Sequence, residues 1–225
     1  MNIDAVILCG GKGTRFEAVS NSKAKALADI KGIPLIELII QNLEKNGFSR
    51  FILAVGFRNE GIQDYFKGTQ REIVFSKEVD PLGTGGAIKN SQKHINSEIF
   101  LVMNGDLICD MDYKKLIDAH KNSNKKATIA VSSSETSEDF GNIVLGNDNS
   151  IETFKEKVRD GSSNYVSAGT YIMDRDIFSV LPDKNAFSIE TDFFEKNPEK
   201  LNAHIINMSF LDIGTPERYK EANKS

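Results

Sequence analysis

Sulfur and histidine are scarce in this chain. Its 225 residues hold two cysteines, Cys9 and Cys109, and three histidines, His94, His120 and His204. The cysteines lack metal-ligand spacing, and a chain of this length builds a core without a disulfide, so both read as buried small residues. The histidines lie far apart with neither triad nor metal spacing, and read as surface or core side chains. Positive charge is short as well. Lys+Arg of 28 against Asp+Glu of 32 leaves a net charge of −4, so no global field exists to hold a nucleic-acid backbone, and any bound anion must be captured locally. Long apolar runs do not occur. Ala5 to Cys9 follows Asn-Ile-Asp with no basic segment and is too short for a signal peptide or a membrane span. A cytoplasmic location with no membrane partner is the expectation. Hydrophobic and charged fractions of 40% and 27% are those of an ordinary soluble domain, and there is no linker, low-complexity tract or internal repeat.

What is present is a regular alternation. Apolar runs of strand length alternate with amphipathic segments of helix length through the first half, the pattern of βαβ units on a mostly parallel sheet. Strands are expected at Ile3 to Cys9, Phe51 to Val55, Glu72 to Ser76 and Ile99 to Met103. Helices are expected at Pro34 to Asn46, with Gly47 closing it, at Asn59 to Phe66, and at Tyr113 to His120 behind an Asp112 cap. After Lys126 the segments become short β runs: Ala127 to Ser132, Asn142 to Leu145, Ile151 to Phe154 across a Gly-Asn-Asp-Asn turn, and Tyr165 to Met173. A helix is expected at Ser188 to Glu195 and a strand end at Leu211 to Ile213, leading into Pro216 to Ala222. The fold class is α/β: a mixed, mostly parallel central sheet flanked by helices, with a smaller antiparallel lobe, all in one domain over 1–225.

Directly after the first strand stands Gly10-Gly11-Lys12-Gly13-Thr14-Arg15, where glycines let backbone N–H groups approach an anion at a sheet's carboxyl edge. It is not a Walker A loop, which needs Lys-Ser/Thr after a second glycine four residues on. It is not a dinucleotide fingerprint either, because Phe16 stands where a glycine is required. The loop to Ala26 carries Lys12, Arg15, Lys23 and Lys25 against one anion, Glu17, and several cations on a glycine-rich loop suit a polyphosphate.

This loop resembles the signature of the sugar-1-phosphate nucleotidylyltransferases, Gly-Gly-x-Gly-Thr-Arg followed by a lysine between two prolines. Here that second part reads Ala24-Lys25-Ala26. Pro81-Leu82-Gly83-Thr84-Gly85-Gly86 is similar to the family's second glycine-rich element, and Asn104-Gly105-Asp106 and Leu211-Asp212-Ile213-Gly214 to its two metal-carboxylate segments. The resemblance covers nearly the whole chain. It implies a Rossmann-like sheet with no β-helix domain, a nucleotide-binding part over about 1–125 and a sugar-binding part over about 126–225, and it leaves a homodimer open. It also implies roles. Leu8, Gly10, Gly11, Gly13, Thr14, Glu78, Pro81, Gly83 and Thr84 would contact the nucleotide. Arg15, Lys25 and Asp106 would be catalytic, with Asp106 and Asp212 holding Mg²⁺. Asn104, Gly141, Glu156, Lys157, Ser167 and Glu190 would meet the sugar phosphate, although Glu156-Lys157 alone is also a plain solvated charge pair.

The motif string is most similar to the heptose-1-phosphate guanylyltransferase branch, through Phe187-Ser188-Ile189-Glu190-Thr191-Asp192, which also reads as a helix start capped by Ser188. That branch implies joining a sugar 1-phosphate to GTP, with pyrophosphate leaving and the product feeding surface polysaccharide. Aligned on Gly83, the resemblance places Glu78 where the base edge is read. An ionised carboxylate only accepts hydrogen bonds and guanine offers adjacent N1–H and N2–H₂ donors, so GTP is expected ahead of UTP or CTP. Another sugar 1-phosphate stays open. Asp110-Met111-Asp112 has the Asp-x-Asp form of a glycosyltransferase, but Asp112 is expected to cap a helix.

Overall fold

A computed structural model describes residues 1–10, 24–56, 60–133, 140–157, 165–206, 211–212 and 215–224. In chain order these form β1 (Asp4–Leu8), β2 (Asp29–Ile30), β3 (Ile33–Pro34), α1 (Leu35–Lys45), β4 (Arg50–Val55), α2 (Glu60–Tyr65), β5 (Glu72–Lys77) and α3 (Gly83–Ser91). There follow β6 (Ile99–Asn104), β7 (Leu107–Ile108), α4 (Tyr113–Ser123), β8 (Ala127–Ser133), β9 (Gly141–Leu145), β10 (Ile151–Glu156), β11 (Tyr165–Asp174), β12 (Leu201–Ile206), β13 (Leu211–Asp212) and α5 (Pro216–Lys224). No helix among the described residues is long and apolar enough to cross a membrane.

Nine strands make the main sheet, in the order β10-β9-β11-β6-β1-β4-β5, with β8 against β11 and β12 against β8. β1 runs parallel to both β4 and β6, and β4 parallel to β5. β11 joins the second half to this sheet, antiparallel to β6 through Thr170↔Met103 to Asp174↔Ile99. The antiparallel part is thus continuous with the parallel part. Ladders outside the expectation include β12, which runs parallel to β8 from Leu201↔Ala127 onward, and β2, which pairs antiparallel with β3.

Burial follows the strand period of two. Ala5, Ile7, Phe51, Leu53, Leu101 and Met103 face one cluster with α1 and α4, while Val6, Ile52, Phe100 and Val102 face the other with Ile88, Phe154, Phe193 and Phe194. Covered on both faces, these strands read as continuous apolar runs. α1 ends as its sequence requires: Gly47 takes φ +87, and the Phe48 N–H returns to the Leu43 carbonyl at 3.1 Å, burying Phe48. Asp112 caps α4 by accepting the Lys115 N–H at 3.1 Å. His120 is a core side chain between Thr128 Oγ1 at 3.0 Å and Asp174 Oδ1 at 3.2 Å.

The expected helix at Ser188 to Glu195 is instead a π-helical turn, Glu190–Phe194, closed by the Glu195 N–H on the Glu190 carbonyl at 2.9 Å. Ser188 does cap it, accepting the Thr191 N–H at 3.2 Å.

Asp4 pins the start of β1. Its carboxylate meets the Arg50 guanidinium at 2.8 Å and accepts the N–H groups of Asn96 at 2.5 Å and Ser97 at 3.0 Å. Burial alone would raise this carboxyl, but Arg50 and the two amides outweigh it and hold Asp4 below the usual carboxylate range. The stabilisation is therefore complete above the unfolded pKa and fades as pH falls through the lower folded value. Asp4→Ala leaves the half-buried Arg50 with Glu72 and the His94 carbonyl but removes the acceptor of the Asn96 and Ser97 N–H groups, and a penalty of about 2 kcal/mol lowers the melting temperature by roughly 4–8 °C. Thermal melts at pH 7 check it, and an unchanged midpoint contradicts the account.

Candidate active site

Three strand ends converge at one edge. The Cys9 N–H bonds the Ala54 carbonyl at 2.8 Å, the Gly105 N–H bonds Leu8 at 3.0 Å, and the Glu78 N–H bonds Val55 at 2.9 Å. The segments leaving β1, β6 and β5 are thereby tied together where an open α/β sheet binds its ligands. Gly10 is a close-approach position: a Cβ there would lie 2.9 Å from Glu78 Oε1, and a Cβ on Gly56 would lie 2.7 Å from the Gly10 carbonyl.

These segments enclose a cavity of about 370 Å³. Leu8, Gly10, Lys25, Glu78, Pro81, Gly83, Thr84, Asn104 and Asp106 line it, so the nucleotide-side residues read from the sequence come together with both catalytic residues that are described. Gly11, Gly13, Thr14 and Arg15 lie outside the described residues. Cys9, Ala26, Ala87 and Gly105 also line the cavity; each adjoins a residue of the motifs or follows one turn of α3 later, which is the signal that could have found them. Cys9 corrects an expectation, since it is only partly buried. Burial and the Asp106 carboxylate push its thiol up to about 12, so it stays protonated and unreactive at neutral pH.

Lys25 Nζ pairs with Asp106 Oδ2 at 2.6 Å, with 19% and 37% of the two side chains exposed. Alanines stand where the family has flanking prolines, and the turn between them is regular. Ala24 holds φ −55 and ψ 139, within the range a proline ring would impose. The Leu27 N–H bonds the Ala24 carbonyl at 2.8 Å and the Ala28 N–H bonds Lys25 at 2.9 Å. With Ala26 buried at 2% exposure, hydrogen bonds and packing fix the turn that carries the lysine.

Glu78 faces the cavity and accepts the Leu82 N–H at 3.2 Å. Burial raises its carboxyl above the ordinary glutamate value, and the Leu82 amide only partly offsets this. The second glycine-rich element is shaped by packing as much as by any ligand. Gly83 opens α3 at φ +70. The Gly85 and Gly86 N–H groups are spent on the Phe187 carbonyl at 3.0 and 3.2 Å, and a Cβ on Gly85 would lie 2.1 Å from the Phe187 ring. The Thr84 hydroxyl donates to Glu190 Oε2 at 2.5 Å and accepts the Ile189 N–H at 2.9 Å.

The sugar-side residues lie beyond the lining of this cavity, save Asn104. Glu156 ends β10 opposite Gly141 of β9; a Cβ on Gly141 would lie 2.5 Å from Phe154 Cζ and 3.1 Å from Glu156 Oε2. Lys157 follows at φ +54 with Nζ 3.3 Å from Glu156 Oε1. Burial and the charge of Glu190 raise the Glu156 carboxyl, Lys157 opposing them. Ser167 accepts the Gly169 N–H at 3.2 Å, and Gly169, at φ +58, sits against the Asn104 amide. Glu190 is buried, its Oε2 shared between Thr84 and Ser188, the latter at 2.7 Å.

Asp106 and Asp212 are the residues that would hold a magnesium ion. The Asp106 carboxylate is partly exposed at the cavity, and β13 pairs with β7 so that Asp212 stands opposite Leu107, the residue after Asp106. Two carboxylates, completed by substrate phosphates and water, are the usual donor set for Mg²⁺.

Comparison with known proteins agrees with this architecture. A family model described as Nucleotidyl transferase matches residues 4–225, and the chain belongs to that family. A D-glycero-alpha-D-manno-heptose 1-phosphate guanylyltransferase of Campylobacter jejuni is 35% identical over 221 residues, covering 96% of this chain and 97% of the relative. An enzyme of the same name from Aneurinibacillus thermoaerophilus is 33% identical over 226 residues, covering 99% and 97%. The crystal structure of HddC from Yersinia pseudotuberculosis complexed with GMP-PN has a TM-score of 0.84 and 33% identity, covering 99% of this chain and 98% of that one.

Proposed function

We propose that this protein joins D-glycero-D-manno-heptose 1-phosphate to GTP, giving the GDP-heptose and pyrophosphate, in the cytoplasm and for surface polysaccharide. The observation that carries the reading is one cavity lined by the Lys25–Asp106 ion pair and by Glu78. The name shared by the relatives, whose length the chain nearly spans, supports the same substrates.

The chemistry is a single in-line displacement. A sugar-1-phosphate oxygen attacks the α-phosphorus of the triphosphate and pyrophosphate leaves. That nucleophile already carries its negative charge near neutral pH, so the protein needs no general base and works by positioning and by neutralising like charges. Lys25 binds near the α-phosphate and Arg15 neutralises the β and γ phosphates. Gly10, Gly11, Gly13 and Thr14 hold the triphosphate through their backbone, while Leu8, Pro81, Gly83 and Thr84 enclose the nucleoside and Glu78 accepts from guanine. Asp106 and Asp212 would hold Mg²⁺, which when bound would supply further neutralisation of phosphate charge. Lys157 holds the incoming phosphate, and Glu156, with Asn104, Gly141, Ser167 and Glu190, forms the sugar side.

A screen of the four triphosphates against sugar 1-phosphates, following pyrophosphate release with Mg²⁺, tests this. GTP with the heptose 1-phosphate is expected to give the highest kcat/KM. A strong preference for UTP refutes the use of Glu78, and consumption of a nucleotide sugar without pyrophosphate release makes the protein a glycosyltransferase instead.

A further inference from the structure

Residues 187–195 touch both halves of the site. At one end the Phe187 N–H bonds the Leu82 carbonyl at 2.9 Å, and Glu190 Oε2 takes the Thr84 hydroxyl at the rim of the nucleotide cavity. At the other end Glu195 Oε1 accepts the backbone N–H of Glu156 at 2.7 Å. β10 ends the sheet order, so Glu195 supplies a partner to the outer side of an edge strand at the very residue read as a sugar contact.

The widened turn makes both contacts reachable. In an α-helix, residues five apart stand about 140° apart around the axis. Here the i→i+5 bond closes on Glu190 and Glu195 themselves, and π turns of this kind occur mostly at functional sites. The turn is also held rigidly. Phe193 and Phe194 are buried at 1% and 0% exposure, and the Phe194 ring packs edge-on against Phe154 of β10 at 5.5 Å and Tyr171 of β11 at 5.1 Å. One packed turn thus links the Thr84 end to the Glu156 end.

We infer that this π turn couples the two substrate sites, with Glu190 positioning Thr84 on the nucleotide side and Glu195 positioning Glu156 on the sugar side. The inference rests on the proposed function through the nucleotide role of Thr84 and the sugar role of Glu156. Neither Glu190 nor Glu195 takes part in the displacement itself.

Hydrogen exchange of a peptide covering 151–157 tests the coupling without any sugar. The probe is the non-reactive α,β-methylene analogue of GTP, or of whichever triphosphate the enzyme turns over fastest. Nucleotide binding is expected to slow exchange at the Glu156 amide by about fivefold or more in the wild type, the lower end of ordinary coupling between sites. The protection disappears in Glu195→Ala and persists in Glu195→Gln, whose amide oxygen still accepts the bond. Unchanged exchange in the wild type overturns the inference, as does protection that survives in a folded Glu195→Ala. If the alanine variant melts early, the wild-type measurement decides alone. In steady state, Glu195→Ala raises the KM for the sugar phosphate roughly 3–10-fold, the worth of one hydrogen bond, with kcat much less affected and with rescue by Glu195→Gln. A purely structural role would instead lower both variants' activity in step with their melting temperatures. Failure of the heptose 1-phosphate to react at all would overturn the proposed substrate and leave the exchange result standing.

Discussion

Lys25→Ala is expected to lower turnover about a thousandfold, the upper end of what one preorganised electrostatic contact contributes to a transition state, with the fold kept. The reaction brings two phosphate anions together, and a cation fixed near the α-phosphate acts where that repulsion is greatest. The lysine is placed for this before substrate arrives, by the turn Lys25–Leu27 and by its 2.6 Å contact with Asp106. The same contact is too exposed to matter much to stability. Partly solvated pairs of this kind contribute about 0–1 kcal/mol, so the melting temperature should move by no more than about 4 °C. Asp106→Ala should lose turnover comparably, because it removes both the lysine's anchor and a carboxylate of the proposed magnesium pair. Single-turnover rates and thermal melts on the same preparations separate the two effects. Near-normal turnover in either variant refutes the assignment.

Glu78→Gln should change the base preference. A carboxylate matches the paired N1–H and N2–H₂ donors of guanine, whereas glutamine turns an N–H₂ group toward one of them. The loss of one good bidentate contact is worth about 1–3 kcal/mol, or roughly 5–150-fold in kcat/KM for GTP. The same glutamine offers an acceptor and a donor side by side, which suits the N3–H and adjacent carbonyl of uracil, so UTP should gain. A pH profile gives an independent check. Binding needs the ionised carboxylate and burial raises its pKa, so kcat/KM for GTP should fall on acidification at a higher pH than for an ordinary glutamate. That acid limb should vanish in Glu78→Gln. An unchanged base preference in the variant rules out this use of Glu78.

The parallel sheet was legible because its strands are covered on both faces and so appear as short apolar runs. The caps were legible too: Gly47 after α1 and Asp112 before α4 act through local backbone chemistry that needs no tertiary partner. The site was legible in part for a similar reason. Gly10, Lys25, Pro81, Gly83 and Asp106 stand in short motifs at strand or helix ends, where the fold class already places ligands. β12 was not legible, since Leu201 to Ile206 pairs with a strand some seventy residues earlier and its short run carries no strong period. The π turn was missed because Ser188 to Glu195 has the capping pattern of an α-helix, and only packing of Phe193 and Phe194 on the sheet decides the wider ring.

By itself, the sequence determined the α/β class, most strands and helices of the parallel half and the residue types at each strand end, because those depend on local periodicity and backbone preference. The tertiary structure decided which of them meet. It committed the amides of Gly85 and Gly86 to Phe187, and it laid one turn between Thr84 and Glu156. Those outcomes depend on contacts between segments about forty to a hundred residues apart, whose geometry is set by the sheet that joins them and is written in no local pattern.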